Sequence, residues 1–241
     1  MIRLSMLGTV DLRSPDDLQI PSLLAQPKRL ALLAYLAAAM PQGFHSRDKL
    51  ISFFWPEHDQ KHASASLRQS IYVLRRVLGS HVVITCGDEV IGLDHTRVWC
   101  DVTAFNQAAD AGRHSEALAL YGGEFLAGSH MSDSLEFDMW LERQRARLAA
   151  RAVTAAWALT ESEARQGNLV AALEWARRVR VLDPDDERAL RRVILLLDQL
   201  GNRMAALREY RTFAKRIATE YAMAPAPETD RLISAIRSPV P

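Results

Sequence analysis

The run Ile2 to Leu12 is rich in strand-forming residues and ends at a charged, proline-containing turn, Arg13 to Asp17, with Leu18 to Ile20 placed to pair back against it. The period then changes from strand to helix. Pro27 suits a first helical turn, and Leu30, Leu33, Ala34, Ala37 and Met40 build one apolar face until Pro41 and Gly43 stop it. Ser46 can cap a second helix whose apolar side is Leu50, Ile51, Phe53 and Phe54, ending at Trp55-Pro56. After the polar loop Glu57 to Lys61, Leu67, Ile71, Leu74 and Leu78 recur on one face of a third helix, His62 to Leu78, which Gly79 is placed to terminate. Val82 to Thr85 and Val90 to Leu93 flank the turn-forming pair Gly87-Asp88 and predict a hairpin, with one more short strand at Val98 to Val102.

The remaining residues read as helices in pairs. Asp101 can cap a helix through Asp110, Gly112 separates it from a run that reaches Tyr121, and a long helical pattern extends from about Leu135 to Gln166. GNLVAAL at Gly167 to Leu173 recurs 34 residues later as GNRMAAL at Gly201 to Leu207, and GRHSEAL at Gly112 to Leu118 is a looser copy. That period, with Gly-Asn at a helix junction and Ala at close-packing positions, predicts a tetratricopeptide-like array in which each helix pair buries its apolar face against the next. Ala224 to Glu228 reads as a break before a last helix, Thr229 to Ile236; the tail Ser238 to Pro241 carries no packing signal, as expected of a piece cut from something longer. The expected fold is thus an α+β winged helix-turn-helix over residues 1–96 followed by an all-α tetratricopeptide-like domain over 97–241.

Charge adds little globally and much locally. The chain has 30 Lys/Arg against 29 Asp/Glu over 241 residues, so DNA binding must rest on local placement of charge. From Lys61 to Gly87 there are four basic residues and no acid. Opposite the apolar stripe of the third helix, Arg68, Gln69, Tyr72 and Arg76 fall within about 100° of one another, where Arg and Gln can read base edges and Arg and Tyr can hold phosphates. Arg75 lies nearer the core edge, and Lys61, Ser64 and Ser46 are further candidate phosphate contacts. The order sheet, three helices, hairpin is that of a winged helix-turn-helix whose third helix reads DNA.

Other chemistry is not supported. Cys86 and Cys100 form neither a disulfide framework nor a metal motif and suit a reducing cytoplasm. The start lacks a signal-peptide pattern, and the apolar run Leu30 to Met40 is too short to span a bilayer, so no membrane association is expected. His58 and His62 lack a third ligand and read as surface histidines. Ser129, His130 and Asp133, neighbours on one loop, cannot normally form a hydrolytic line, and neither a P-loop nor a dinucleotide fingerprint is present. No catalytic residue, metal or cofactor is expected. The five tryptophans are assigned to core packing, and Arg177, Arg178, Arg180, Arg188, Arg191 and Arg192, interspersed with Asp183, Asp185, Asp186 and Glu187, to a solvated, mutually paired surface.

Together these features resemble the SARP-type (Streptomyces antibiotic regulatory protein) activators, in which an OmpR/PhoB-like winged helix-turn-helix precedes a bacterial transcriptional activator domain. The stretches that carry the resemblance are KRLALLAYLA (Lys28 to Ala37), SRDKLISFFWP (Ser46 to Pro56), SLRQSIYVLRRVLG (Ser66 to Gly79), VWCDVTAFNQA (Val98 to Ala108), YGGEFLAG (Tyr121 to Gly128) and FDMWLERQRARL (Phe137 to Leu148). The resemblance implies that SLRQSIYVLRR is the recognition helix, Ser46 to Phe54 its positioning helix and Gly87 to Gly92 the wing. It also implies a cytoplasmic, non-enzymatic activator that binds direct repeats in double-stranded DNA, dimerises at least on DNA and recruits RNA polymerase. In one respect the chain departs from it: the wing holds Asp88 and Glu89 with no Lys or Arg. Asp11, Asp16 and Asp17 lack the lysine and hydroxyl partners of a phosphorylation site, so aspartyl phosphorylation is not expected. The acidic wing and the weak net charge suit a different class as well: a protein-interaction or oligomerisation module, the N-terminal part of a larger signalling protein, with little or no DNA binding.

Overall fold

In the computed structural model residues 1–128 and 134–237 are described, and they divide into two compact units, Met1–Ala149 and Ala150–Pro241. Ser129, His130 and Asp133, and the tail from Ser238, lie outside the described residues.

The first unit opens with strands β1 (Ile2–Ser5) and β2 (Asp11–Arg13), a one-turn helix α1 (Pro21–Leu24), helix α2 (Pro27–Ala38), a two-residue strand β3 (His45–Ser46), and helices α3 (Arg47–Phe54) and α4 (Gln60–Leu78). Strands β4 (Val83–Cys86), β5 (Val90–Leu93) and β6 (Val98–Cys100) follow, then α5 (Asp101–Asp110), α6 (His114–Leu120) and the first half of α7 (Leu135–Arg165). There are two three-stranded sheets among the described residues, ordered β2-β1-β6 and β3-β5-β4. In the first, β1 is antiparallel to β2 and parallel to β6, so the N-terminal strand is completed by a segment almost a hundred residues away.

Several local expectations are refined. The strand-forming run Ile2 to Leu12 folds into two antiparallel arms that reverse around Gly8, whose φ of +102° a side chain would resist. The Leu18 to Ile20 return survives as a single bridge, Arg13 to Gln19, with the Ile20 N–H donating to the Leu12 carbonyl at 2.8 Å. Helix α4 starts at Gln60, two residues before the expected His62. Asp59 explains the earlier start, because its carboxylate accepts the His62 N–H at 3.0 Å and so caps the helix. Asp101 was expected to cap α5, yet it is the first helical residue and its side chain is committed elsewhere. Its buried carboxylate accepts the N–H groups of Met6, Leu7 and Val102 at 2.7–2.8 Å. Burial pushes this carboxyl up from its ordinary value, against the pull of those donors.

The aromatic core of this unit positions the helices that matter below. Tyr35 of α2 packs within 4.9–5.8 Å of Phe53, Phe54 and Trp140, and Phe137 closes the cluster. Ser134 ties the start of α7 to the end of α3, its hydroxyl donating to the Phe53 carbonyl at 2.5 Å and accepting the Phe137 N–H at 3.2 Å.

The second unit contains the rest of α7, then α8 (Leu169–Leu182), α9 (Glu187–Gln199), α10 (Arg203–Tyr221) and α11 (Pro227–Arg237). Its core is continuous from Ala172 and Ala176 through Leu190, Ile194 and Leu197 to Ala206, Phe213, Ile217 and Ile233. The repeated turns share one geometry. Gly112, Gly167 and Gly201 have φ of +70°, +80° and +73°, and the next N–H in each case donates to the carbonyl five residues back: Arg113 to Ala108, Asn168 to Glu163, Asn202 to Leu197, at 2.8–2.9 Å. This is the left-handed glycine cap that satisfies two terminal helix carbonyls at once. The second and third copies then place Ala172 and Ala206, both fully buried, at equivalent points of the following helix.

The arginine surface of this unit is paired, but not with the acids beside it in sequence. Arg180 is bonded to Glu209, Arg192 lies 2.9 Å from Glu161, and Arg188 stacks 4.3 Å above the Trp157 ring. The expected partners are engaged with other groups: Asp185 with Arg216 at 2.6 Å, Asp186 with the first turn of α9, and Glu187 with the Ala226 N–H at 2.7 Å. Nor are all the tryptophans core residues: Trp55 and Trp140 are buried, whereas Trp99, Trp157 and Trp175 are only half-buried.

Candidate nucleic-acid interface

Helix α4 has the two faces that its sequence implied. Ala63, Leu67, Ser70, Ile71, Leu74 and Leu78 are buried, while Lys61, Arg68, Gln69, Tyr72 and Arg76 are exposed; Tyr72 leaves 58% of its surface in solvent. Ser64 is half-buried at the edge of this arc.

Ser46 and Arg75 have structural engagements as well. The Ser46 hydroxyl accepts the Lys49 N–H at 3.3 Å and so caps α3, and Ser46 also pairs with Val90 in the sheet. Arg75 is half-buried: its Nε donates to the Val83 carbonyl at 2.8 Å and a terminal nitrogen reaches Thr85 Oγ1 at 3.5 Å. It clamps α4 to the hairpin.

The hairpin itself runs in register from Val83–Leu93 to Cys86–Val90, with Gly87 at φ +59° in the turn. Strand β3 joins its far edge through His45–Ile91, and the Arg47 N–H donates to the Glu89 carbonyl at 2.8 Å. The wing tip therefore sits against the start of α3. Asp88 joins Arg47, Asp48, Ile51, Ser64, Leu67 and Arg68 around an open depression of roughly 400 Å³ beside α4. Two arginines there face two aspartates.

On the other side of α4 lies a larger open cleft, of roughly 650 Å³, between the start of α2, Trp55 and the residues Ala65, Ser66 and Gln69. Lys28 and Arg29 line it, and no acid does. The Lys28 ammonium stands 5.8 Å from the centre of the Trp55 ring. Lys28, Arg29 and Arg47 were not among the expected site residues. Their only sequence signal is a basic pair just inside a proline-started helix and an arginine just past a cap, and neither says which side chains meet across the fold.

His58 and His62 are exposed, with His62 Nδ1 2.5 Å from the capping Asp59. The hydrogen bonds from His62 hold the Asp59 carboxyl below its ordinary range. Among the described residues no three metal-ligating side chains gather, and no helix is long and apolar enough to cross a membrane.

A family model described as the bacterial transcriptional activator domain matches residues 100–237. The chain belongs to this family. Membership agrees with the SARP-type resemblance of the sequence. A structure of Mycobacterium tuberculosis EmbR in complex with a low-affinity phosphopeptide superposes on all of this chain with a TM-score of 0.67 at 22% identity. The chain spans 66% of that structure's length, and likeness at this identity is one of fold. A search of curated proteins finds no match. The family model begins at Cys100, the last residue of β6. Helix α4 and the hairpin of β4 and β5 therefore precede the matched region.

Proposed function

We propose that this protein is a sequence-specific activator of transcription that enters the major groove of double-stranded DNA with α4. The reading rests on one observation: α4 precedes a hairpin to which Arg75 clamps it, buries one face, and exposes Arg68, Gln69, Tyr72 and Arg76 on another. B-DNA's major groove admits a helix, and Arg and Gln are side chains whose paired donors and acceptors match guanine and adenine edges. Lys61, Ser64 and Ser46 flank that arc as phosphate contacts. Residues 1–96 form the winged helix-turn-helix in this reading, and residues 97–241 a tetratricopeptide-like activator domain, whose 34-residue period and matched glycine turns support the assignment. The output is positional: two copies on direct repeats hold RNA polymerase at the promoter, without a chemical step or a cofactor.

Gel shifts with fragments tiling the region upstream of the protein's own gene test this. Arg68→Ala and Arg76→Ala are each expected to cost about 1–3 kcal/mol of discrimination between bases. Unchanged sequence preference in the double variant would remove α4 as the reading element. The acids at the wing tip favour a second reading, a protein-interaction module. Failure of the wild type to bind any fragment at low salt would select it.

A further inference from the structure

The second unit carries a charged stripe that its own fold does not use. On α10, Met204, Arg208, Arg211 and Lys215 are exposed, and at about 100° per residue they fall within about 60° of one another. The positions three and four residues to either side of each cation hold no acid, so no pairing along the helix is open to them. Arg208, Arg211 and Lys215 have no hydrogen-bond or ion-pair partner among the described residues. Their neighbours do. Arg177 and Arg180 hold Glu209, Arg203 lies 3.0 Å from Asp198, and Arg216 lies 2.6 Å from Asp185 and 3.1 Å from Glu220. Both acids of α10 are thus engaged by other arginines, and the stripe stays positive. The repeat does not require these cations: 34 residues earlier the same four positions of α8 are Val170, Glu174, Arg177 and Val181, also exposed.

A second feature adjoins the stripe. An open depression of roughly 530 Å³ lies where the start of α8 meets the end of α9, with Leu169, Val170, Ala171, Glu174 and Leu200 among its lining residues. Leu200 leads straight into the turn that starts α10, so α8 and α10 begin at the same end of the unit, and Met204 stands in the first turn of α10. Val170, Leu200 and Met204 are 61%, 38% and 63% exposed. Large apolar side chains thus mark one end of this surface, and the three cations continue from it along about 10 Å of helix.

We infer that this surface docks an acidic protein segment that carries an apolar anchor: the anchor seats in the depression beside Val170 and Leu200, and the carboxylates that follow it run along α10 over Arg208, Arg211 and Lys215. Charge complementarity selects the acids. The apolar end selects a polypeptide over a nucleic acid, whose phosphates offer nothing to bury against Val170, Leu200 and Met204. Glu174 gives the docking a direction, because it repels a carboxylate in the depression and so leaves the α10 end for the partner's acids. The surface lies wholly within the second unit and is independent of whether α4 reads DNA.

The test applies the full chain to an array of short peptides in which a Leu-Phe pair precedes three Glu at varied spacings, with companion peptides that carry Lys for Glu or Ser-Ser for Leu-Phe. Peptides with both anchor and acids are expected to bind, and fluorescence anisotropy then gives their affinities. Loss of the exposed ion pairs in Arg208→Ala/Arg211→Ala/Lys215→Ala should weaken binding about tenfold and leave the remainder insensitive to salt. Val170→Ser/Met204→Ser should weaken it at every salt concentration. These variants change exposed residues, and thermal melts show that they fold. Arg208→Glu/Arg211→Glu/Lys215→Glu is expected to reject the Glu peptides and to bind the Lys companions. The inference is overturned if no peptide binds at low salt, if neither variant changes the affinity, or if the wild type binds the Lys companions as well as the Glu peptides. If the array stays blank and the triple Ala variant instead loses affinity for a DNA duplex of mixed sequence, the cations serve a nucleic acid and the docking site is overturned. A dimer of the free protein in sedimentation that the same variant abolishes would make the occupant a second copy and overturn it too.

Discussion

The carboxylate of Asp101 accepts the backbone N–H of Met6 at 2.7 Å, across 95 residues of chain. The same oxygen takes the Leu7 N–H at 2.8 Å, and the parallel pairing of β1 with β6 ends one residue before Asp101. Two backbone donors at the end of an N-terminal strand thus find their acceptor in the first residue of α5.

Asp101→Ala leaves the Met6 and Leu7 donors buried without a partner. A stranded buried donor costs about 1–3 kcal/mol, so a loss of about 2–6 kcal/mol is expected in urea unfolding. Asp101→Asn is expected to lose less, because an amide oxygen in the Oδ2 position still accepts both N–H groups while its NH2 faces only the Val102 N–H.

Arg75 and Arg76 are neighbours with different tasks. Arg75→Ala is expected to destabilise by about 1–3 kcal/mol through loss of a charged hydrogen bond to Val83, and to raise hydrogen exchange in β4. Arg76→Ala, on an exposed position, should leave the melt unchanged and weaken DNA binding. Equal effects of the two on stability would contradict this division.

His45 is buried in β3 against Tyr35 at 5.0 Å, and its Nε2 has no hydrogen-bond partner among the described residues. Burial, with a smaller contribution from Lys49, lowers its pKa from 6.5. In the unfolded chain the ring takes up its proton first. The stability it contributes is therefore complete above pH 6.5 and lost as pH falls toward the folded value. Half-buried His95 acts in the same direction. His45→Phe is expected to flatten the dependence of stability on pH between about 7.5 and 5.5 without abolishing it.

Gly201→Ala places a side chain at φ +73° in the α9–α10 turn. The left-handed conformation costs about 1–2 kcal/mol for a residue with Cβ, and nothing within 4 Å clashes, so a drop of that size in stability is expected from strain alone. A drop several times larger would mean that the turn is also a packing site.

Much of this protein is legible along the chain, because the signals involved are local. The apolar period of α4, the proline that opens α2, the Gly-Asp turn of the hairpin and the Gly-Asn junctions each act within a few residues, where backbone sterics and helix-terminal hydrogen bonds decide the outcome. The 34-residue repeat is legible for the same reason: one cap, used again. What folding alone decided is which distant groups meet. Asp101 reads as a helix cap, and only the arrival of β1 alongside β6 turns its carboxylate to Met6 and Leu7. The acids beside Arg188 and Arg192 read as their partners, and only helix packing brings Glu161 and Trp157 closer. Lys28 and Arg29 sit more than thirty residues from α4 in sequence. They come to flank it because Tyr35, Phe53, Phe54 and Trp140 bury their rings in one cluster, and a hydrophobic contact of that kind is set by shape in three dimensions and leaves no periodic mark on the chain.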